Sequence, residues 1–83
     1  MKIIIMEKRI ISQSHQMKNE LDDDYTLFDD GTVLHEYDHS KYPGQYNLKE
    51  TLNALDLKDE IKQRLIRGIP DEDIELAKQL LGI

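Results

Sequence analysis

The sequence predicts an α+β fold, in which a three-stranded antiparallel β-meander is followed by three short α-helices packed on the sheet. Three observations lead to this prediction. Isoleucines crowd the amino terminus, two β-rich runs flank an Asp-Asp-Gly turn, and segments with helical spacing follow residue 47. We expect a single small domain over residues 1–83, with a β-rich half at 1–40 and a helical half at 47–82.

The first strand is expected at residues 2–12, "KIIIMEKRIIS", because β-branched isoleucine favours a pleated surface over a helix. The next segment, "QSHQMKNELDDD" at residues 13–24, is polar and lacks periodicity. It predicts a connecting loop.

The hairpin is expected within "YTLFDDGTVLHEYD", residues 25–38, where Gly31 can adopt the positive φ of a tight turn. A three-residue loop, Asp29 to Gly31 with a bulge at the glycine, groups the strand residues by face. One face would carry Tyr25, Leu27, Val33, His35 and Tyr37, and the other Thr26, Leu34 and Glu36. A two-residue loop would split these groups, so we prefer the bulged form.

Three helices are expected in the second half. Asn47 and Glu50 form the amide variant of a capping box, which predicts the first helix, and Asp56 predicts the cap of the second. Gly68 ends the second helix, and Gly82 ends a third that opens with acids at residues 71–73. The inward-facing residues, helix by helix, are Leu48, Leu52 and Leu55; Leu57, Ile61 and Leu65; and Ile74, Ala77 and Leu81.

Composition excludes several classes of function. The 83 residues include no cysteine, so disulfides, thiolate zinc sites and cysteine nucleophiles are excluded. The net charge of −6 disfavours direct binding to nucleic acid or anionic lipid, and we interpret Arg64 and Arg67 as helix-end charges. The apolar run at residues 3–6 is too short for a membrane span or a signal peptide. We therefore expect a cytoplasmic protein that binds neither membrane nor nucleic acid.

The string "HEYDH", residues 35–39, matches the His-Glu-x-x-His zinc motif. That motif requires a helix, where the two histidines lie one above the other. Here the string follows Thr32, Val33 and Leu34, which predicts a strand, and a strand would separate His35 from His39 by roughly 13 Å. Both residues are weak metal candidates, and a zinc-binding protein or hydrolase is a minor alternative.

Other catalytic patterns are missing from the sequence. "DDDYTLFDDG" does not alternate its acids as a calcium loop requires, and the serines lack a nucleophile elbow. The four glycines are isolated, so no glycine-rich phosphate loop is present. We expect no cofactor and no enzymatic activity.

Acidic residues are concentrated between Lys18 and Lys41, an interval without a basic residue. Four tyrosines lie in or just after the hairpin, and two of these, Tyr42 and Tyr46, are expected to be exposed because Tyr25 and Tyr37 can serve the core. Tyrosine among carboxylates suits a surface that meets a basic partner. The predicted partner-binding residues are Asp22, Asp23, Asp24, Asp29, Asp30, Glu36, Asp38, Tyr42 and Tyr46.

These observations predict a small acidic protein-binding protein without catalysis. A sharper hypothesis is an inhibitor that occupies the basic nucleic-acid-binding surface of a larger enzyme, by analogy with the anti-defence proteins of phages and mobile elements. The alternative is a regulatory or scaffold module that interacts through its helical half, where Ile69, Leu76 and Ile83 lie outside the main apolar stripes. The oligomeric state and the partner's identity stay open at this point.

Overall fold

The computed structural model describes residues 8–83, and the isoleucines at residues 3–5 of the expected first strand lie outside this range. The fold is α+β, as predicted, but within residues 8–83 the antiparallel sheet has four strands and is accompanied by two α-helices. The strands follow chain order and are β1 (Ile10–Lys18), β2 (Leu21–Phe28), β3 (Thr32–Tyr37) and β4 (Leu48–Asn53). The helices are α1 (Asp59–Ile66) and α2 (Ile74–Leu81).

The loop expected at residues 13–24 is wrong, because this segment forms most of a β1–β2 hairpin. Its two-residue turn, Asn19 and Glu20, has φ angles of 53° and 64°. Both residues are left-handed, as a type I′ turn requires, but no glycine marks the turn in the sequence. The polar side chains of β1 made a paired strand look like a loop.

The register predicted for the β2–β3 hairpin is confirmed. Tyr25 pairs with His35 and Leu27 with Val33, so each pair shares one face of the sheet. Gly31 closes the turn at φ 84°, and its N–H donates to the carbonyl of Phe28 at 3.1 Å.

The first expected helix is wrong, because residues 48–53 form strand β4 along β3. Leu48 and Leu52 are four residues apart, a spacing that places them on one face of either a helix or a strand. Pairing with β3 decided between the two, since it satisfies backbone groups that a sheet edge would leave unpaired. Asn47, the expected helix cap, has φ 54°, whereas Asn53 accepts from the Leu55 N–H at the 3-10 turn Ala54–Asp56.

The other two helices form close to where they were expected. Helix α1 begins at Asp59 with Lys58 as its N-cap, so Asp56 does not cap it. Helix α2 follows a 3-10 turn at Asp71–Asp73 and ends at Gly82, whose φ is 71°. Both helices are two turns long, too short to be stable without docking on the sheet.

The core lies between the helices and one face of the sheet. Leu27 and Val33 of the sheet, together with Leu65 and Leu81 of the helices, are fully buried. Ile11, Tyr25, Ala54, Ile61 and Ala77 complete this buried cluster. No helix within residues 8–83 is long and apolar enough to cross a membrane.

Candidate functional site

The two faces of the sheet carry different chemistry. Residues that pair directly across antiparallel strands point to the same face. Ser12 donates a hydrogen bond to the Leu65 carbonyl, and Arg64 donates one to Ser14, so these two serines mark the face against which α1 packs. We call this the covered face; it includes the row Ser14, Tyr25, His35 and Glu50.

On the opposite face, the next row across the four strands is His15, Asp24, Glu36 and Lys49. Asp24 and Glu36 stand directly opposite each other, and like charges in this position destabilise a strand pair. Their flanking contacts are loose: His15 Nδ1 lies 3.5 Å from Asp24, and Lys49 Nζ lies 3.9 Å from Glu36. Negative charge is therefore left only partly compensated on this face.

Asp22 lies on the same face, two residues before Asp24, and its carboxylate forms no hydrogen bond or ion pair with any other residue of 8–83. We call Asp22, Asp24 and Glu36 the acidic face. A cleft of about 330 Å³ opens beside it, and Asp38, Asn47 and Lys49 also line that cleft. Its walls carry more carboxylate than cationic groups, so it presents an acidic surface.

The covered face also carries four ionisable residues that contact one another, and we call them the matched row: Arg64, Asp23, His35 and Glu50. Arg64 Nη1 contacts Asp23 Oδ2 at 2.9 Å, and the other Asp23 oxygen lies 2.7 Å from His35 Nε2. The second nitrogen of His35, Nδ1, lies 2.7 Å from Glu50 Oε1. The chain of contacts therefore runs from α1 through β2 and β3 to β4, joining four elements.

Aromatic rings enclose this network. The His35 ring stacks between Tyr25, at a centroid distance of 4.2 Å, and Tyr37, at 4.4 Å. Arg64 lies over the Tyr25 ring, 5.0 Å from its centroid, which is a cation–π distance. His35 thus contacts two rings and two carboxylates, and its side chain is 12% exposed.

The charge state of Asp23 reflects these contacts. Burial acts to raise its pKa, but hydrogen bonds from His35 and Arg64, together with their positive charge, outweigh burial and hold the pKa below its ordinary value. Asp23, one of the predicted partner-binding residues, is therefore an ionised member of a structural network on the covered face.

The "HEYDH" string does not form a helical zinc motif. His35 and Glu36 lie in β3 and point to opposite faces, and His39 lies in the loop that follows. Both ring nitrogens of His35 are engaged by carboxylates, so neither is free to coordinate an ion or to take a proton from a substrate. Within residues 8–83 there is no group of three metal-ligating side chains.

The remaining predicted acids are dispersed. Asp29 and Asp30 lie in the β2–β3 turn, at the far end of β2 from Asp22. Asp30 accepts bonds from the backbone and hydroxyl of Thr32 and pairs with Lys8 at 3.3 Å, and the Thr32 bonds are the main reason that its pKa is lowered. These contacts hold the turn, and the structure does not bring Asp29 or Asp30 to the acidic face.

Asp38 joins the sheet to the loop between β3 and β4. It accepts from the Asn47 N–H at 2.8 Å and the Asp22 N–H at 3.0 Å, and these two bonds lower its pKa. Tyr42 and Tyr46 lie within this loop and are 74% and 46% exposed. The predicted exposure of both tyrosines is confirmed.

The helical half exposes fewer of the apolar residues that were expected to form an interface. Ile69 and Leu76 pack against the core, whereas Ile83 is 50% exposed. Leu55, expected to face inward in a helix, lies within the 3-10 turn Ala54–Asp56 and is 56% exposed. Two of the three residues named for the alternative interface are therefore partly used by the fold.

Sequence reasoning missed four ionisable residues that take part in these contacts. Arg64 was interpreted as a helix-end charge, but it lies three residues after Ile61 and next to Leu65, beside the apolar stripe that faces the sheet. His15, Lys49 and Glu50 were missed because the strands that carry them were not predicted. The string "SQSHQMK" has no apolar–polar alternation, so it offers no local signal for this part of β1.

No protein-family model, no curated protein and no solved structure matches this chain in the three comparisons made.

Proposed function

We propose that this chain is a non-enzymatic binding protein whose acidic face, Asp22, Asp24 and Glu36, docks on a basic surface of a larger protein. The more specific form of the proposal is an inhibitor that covers the basic nucleic-acid-binding surface of an enzyme. Carboxylates spaced along a strand then take the place of phosphates, and the enzyme's own substrate is excluded.

The observation that carries this proposal is the like-charged pair of Asp24 and Glu36. The pair opposes sheet stability, and its loose contacts with His15 and Lys49 offset that cost only in part. A cationic partner would remove the repulsion, because its charges would lie against both carboxylates. Binding therefore relieves a strain that folding leaves in place.

The way in which His35 and Asp23 are bonded supports a non-catalytic role for the network on the covered face. Both nitrogens of His35 contact carboxylates, and Asp23 is paired with Arg64. These groups hold strands together. The part of the chain that contacts a partner is then expected on the opposite face.

The proposal is tested by affinity capture from lysates of the source cell and its host. The wild-type chain is compared with a variant that carries Asp22→Asn, Asp24→Asn and Glu36→Gln. We expect the wild type to retain basic proteins that salt releases and that duplex DNA displaces, since both compete for the same cationic surface. The triple variant should retain none of them.

The chain offers a matched control at its helical end. Asp56→Asn, Glu72→Gln and Glu75→Gln removes the same charge from three exposed residues that lie away from the acidic face. This control variant should capture as the wild type does. Capture that survives high salt and is equal in both triple variants would contradict the proposal and favour the helical half, where Leu55 and Ile83 are exposed.

A further inference from the structure

The loop that carries the exposed tyrosines is built as a defined structure. We call residues 38–47 the tyrosine loop. Its tip is a β-turn in which the Gln45 N–H donates to the Tyr42 carbonyl at 3.0 Å. Pro43 presets the first turn angle and Gly44 supplies φ 84°, the combination that a type II turn requires.

The two sides of the tyrosine loop are fastened to each other below this turn. The N–H groups of His39 and Ser40 both donate to the Gln45 carbonyl, at 2.7 and 2.9 Å. Ser40 Oγ donates to the Gln45 side chain at 2.6 Å and accepts from the Tyr42 N–H at 3.2 Å. The loop conformation is therefore specified by its own hydrogen bonds.

Asp38 fastens the base of the loop. Its carboxylate accepts from Asn47 at the other end of the loop and from Asp22 of the neighbouring strand. Lys41, the cation within the loop, forms an ion pair with Glu20 in the β1–β2 turn. That pair neutralises the positive charge that would otherwise repel a cationic partner.

The side chains of Tyr42 and Tyr46 are not fixed by contacts of this kind. Neither side chain hydrogen-bonds or stacks with another ring of residues 8–83, and Tyr42 is the most exposed large hydrophobic residue that the structure describes. Exposed tyrosines on an ordered loop with serine, glycine and asparagine are typical of recognition surfaces, because little conformational entropy is lost when they bind. The loop is ordered in advance, but its aromatic rings are left without partners.

We infer that the tyrosine loop is a preformed anchor that takes arginine side chains of the basic partner against the rings of Tyr42 and Tyr46. The inference rests on the proposed function, since it names the chemistry that the partner must carry. A guanidinium group is planar and stacks on an aromatic ring, whereas an ammonium group is compact and strongly hydrated. The acidic face supplies general attraction, and the loop supplies selection of arginine over lysine.

Two synthetic peptides of equal length and charge test this inference: one alternates arginine with glycine, and the other alternates lysine with glycine. Each carries a fluorescent label, and its dissociation constant is measured by anisotropy. We expect the arginine peptide to bind about twofold to fivefold more tightly, the range that cation–π contacts at exposed sites contribute. The ring-proton NMR signals of both tyrosines should shift on titration with the arginine peptide.

Three variants distinguish the contribution of the aromatic rings of Tyr42 and Tyr46 from that of their apolar volume. Tyr42→Phe keeps the aromatic ring and should keep the preference for arginine. Tyr42→Leu keeps apolar volume without the ring and should lose most of the preference, and Tyr42→Leu with Tyr46→Leu should bind both peptides alike. Ile83→Ala, which removes exposed apolar surface elsewhere, should leave the preference unchanged.

The outcomes separate the anchor from the acidic face. Equal binding of the two peptides by the wild type, or a preference that survives the double leucine variant, would overturn the anchor and leave the acidic face standing. If neither peptide binds the wild type, the acidic face and the anchor are both overturned.

Discussion

The two faces of the sheet use charge in opposite ways. On the covered face, Asp23 lies between Arg64 and His35, and each carboxylate of the row contacts a basic or imidazole group at 2.7 to 2.9 Å. On the acidic face, one residue further along β2, Asp24 opposes Glu36 and the nearest basic groups lie at 3.5 and 3.9 Å. Asp23 and Asp24 are adjacent in β2, yet Asp23 is closely paired with basic groups and Asp24 is not.

This difference separates charge that specifies the fold from charge that is left for another molecule. A partly buried ionic row is costly unless every member is paired, so the covered face tolerates no missing partner. The Asp24 and Glu36 carboxylates of the acidic face are only loosely paired, at 3.5 and 3.9 Å, and such pairs contribute little to stability, so this face can be changed without unfolding the chain. The comparison predicts large stability effects on one face and small ones on the other.

The largest expected effect follows from Arg64→Met. The substitution keeps most of the apolar stem but leaves Asp23 without its cation. Breaking a buried pair costs 3–5 kcal/mol in general, and because Asp23 is partly solvated we expect a loss of about 2 kcal/mol in the free energy of unfolding. Denaturant melts measure the loss. Arg67→Met, at an exposed residue of the same helix end, is the control and should be nearly neutral; equal losses in both variants would refute the matched row.

A direct comparison of neighbours comes next, Asp23→Asn against Asp24→Asn. The first removes charge-assisted bonds to Arg64 and His35 and should cost about 1.5 kcal/mol. The second relieves the repulsion of Glu36 and should change stability by less than about 0.5 kcal/mol. Urea melts of the two variants at neutral pH give both values, and a larger loss for Asp24→Asn would reverse the roles assigned to the faces.

Low pH should remove the difference in stability between the wild type and Asp23→Asn. Because the folded-state pKa of Asp23 lies below the ordinary value of 3.8, its ionised form stabilises the fold above that pH, and the contribution is lost as the pH falls through the folded pKa. The stability gap between the wild type and Asp23→Asn should therefore be constant near neutrality and shrink below about pH 4. Urea melts across this range measure the gap; a gap that stays constant as the pH falls would mean that Asp23 acts through packing and not through charge.

The smallest expected effect on stability is a gain, and it follows from a substitution on the acidic face. Asp24→Lys would place a cation opposite Glu36 and should stabilise the fold by roughly 0.5 kcal/mol. The same substitution should weaken binding to a cationic peptide, because it reverses a charge on the acidic face. Thermal melts and peptide anisotropy measure the two quantities. A variant that is less stable or that binds as the wild type does would show that this carboxylate is not reserved for binding.

Local features such as the β2–β3 hairpin were easier to predict from the sequence than the pairing of strands that depends on tertiary structure. Gly31 and the alternating apolar residues around it were enough to predict the β2–β3 register, and with it the shared face of Tyr25, His35 and Tyr37. Leu48 and Leu52 satisfied helical and strand spacing equally, so their assignment depended on the exposed edge of β3, which no local window contains. The Asn19-Glu20 turn was missed because its left-handed residues include no glycine.

The candidate site was predictable in composition but not in placement. The excess of acids between Lys18 and Lys41 was visible, but a shift of one residue along a strand decides which face a carboxylate occupies. Asp23 was therefore grouped with Asp22 and Asp24 although it points to the opposite face. The role of Arg64 depends on how α1 docks on the sheet, which follows from tertiary packing and not from helix propensity.

The most direct test of the central claim is an NMR titration of the wild-type chain with the arginine–glycine peptide, followed through backbone amide shifts. We predict that the shifts concentrate on the strand residues of the acidic face, Asp22, Asp24 and Glu36, and on the tyrosine loop, with little change along α1 and α2. Shifts concentrated at the helical end around Leu55 and Ile83 would contradict the account, because the unmatched carboxylates would then have no part in binding.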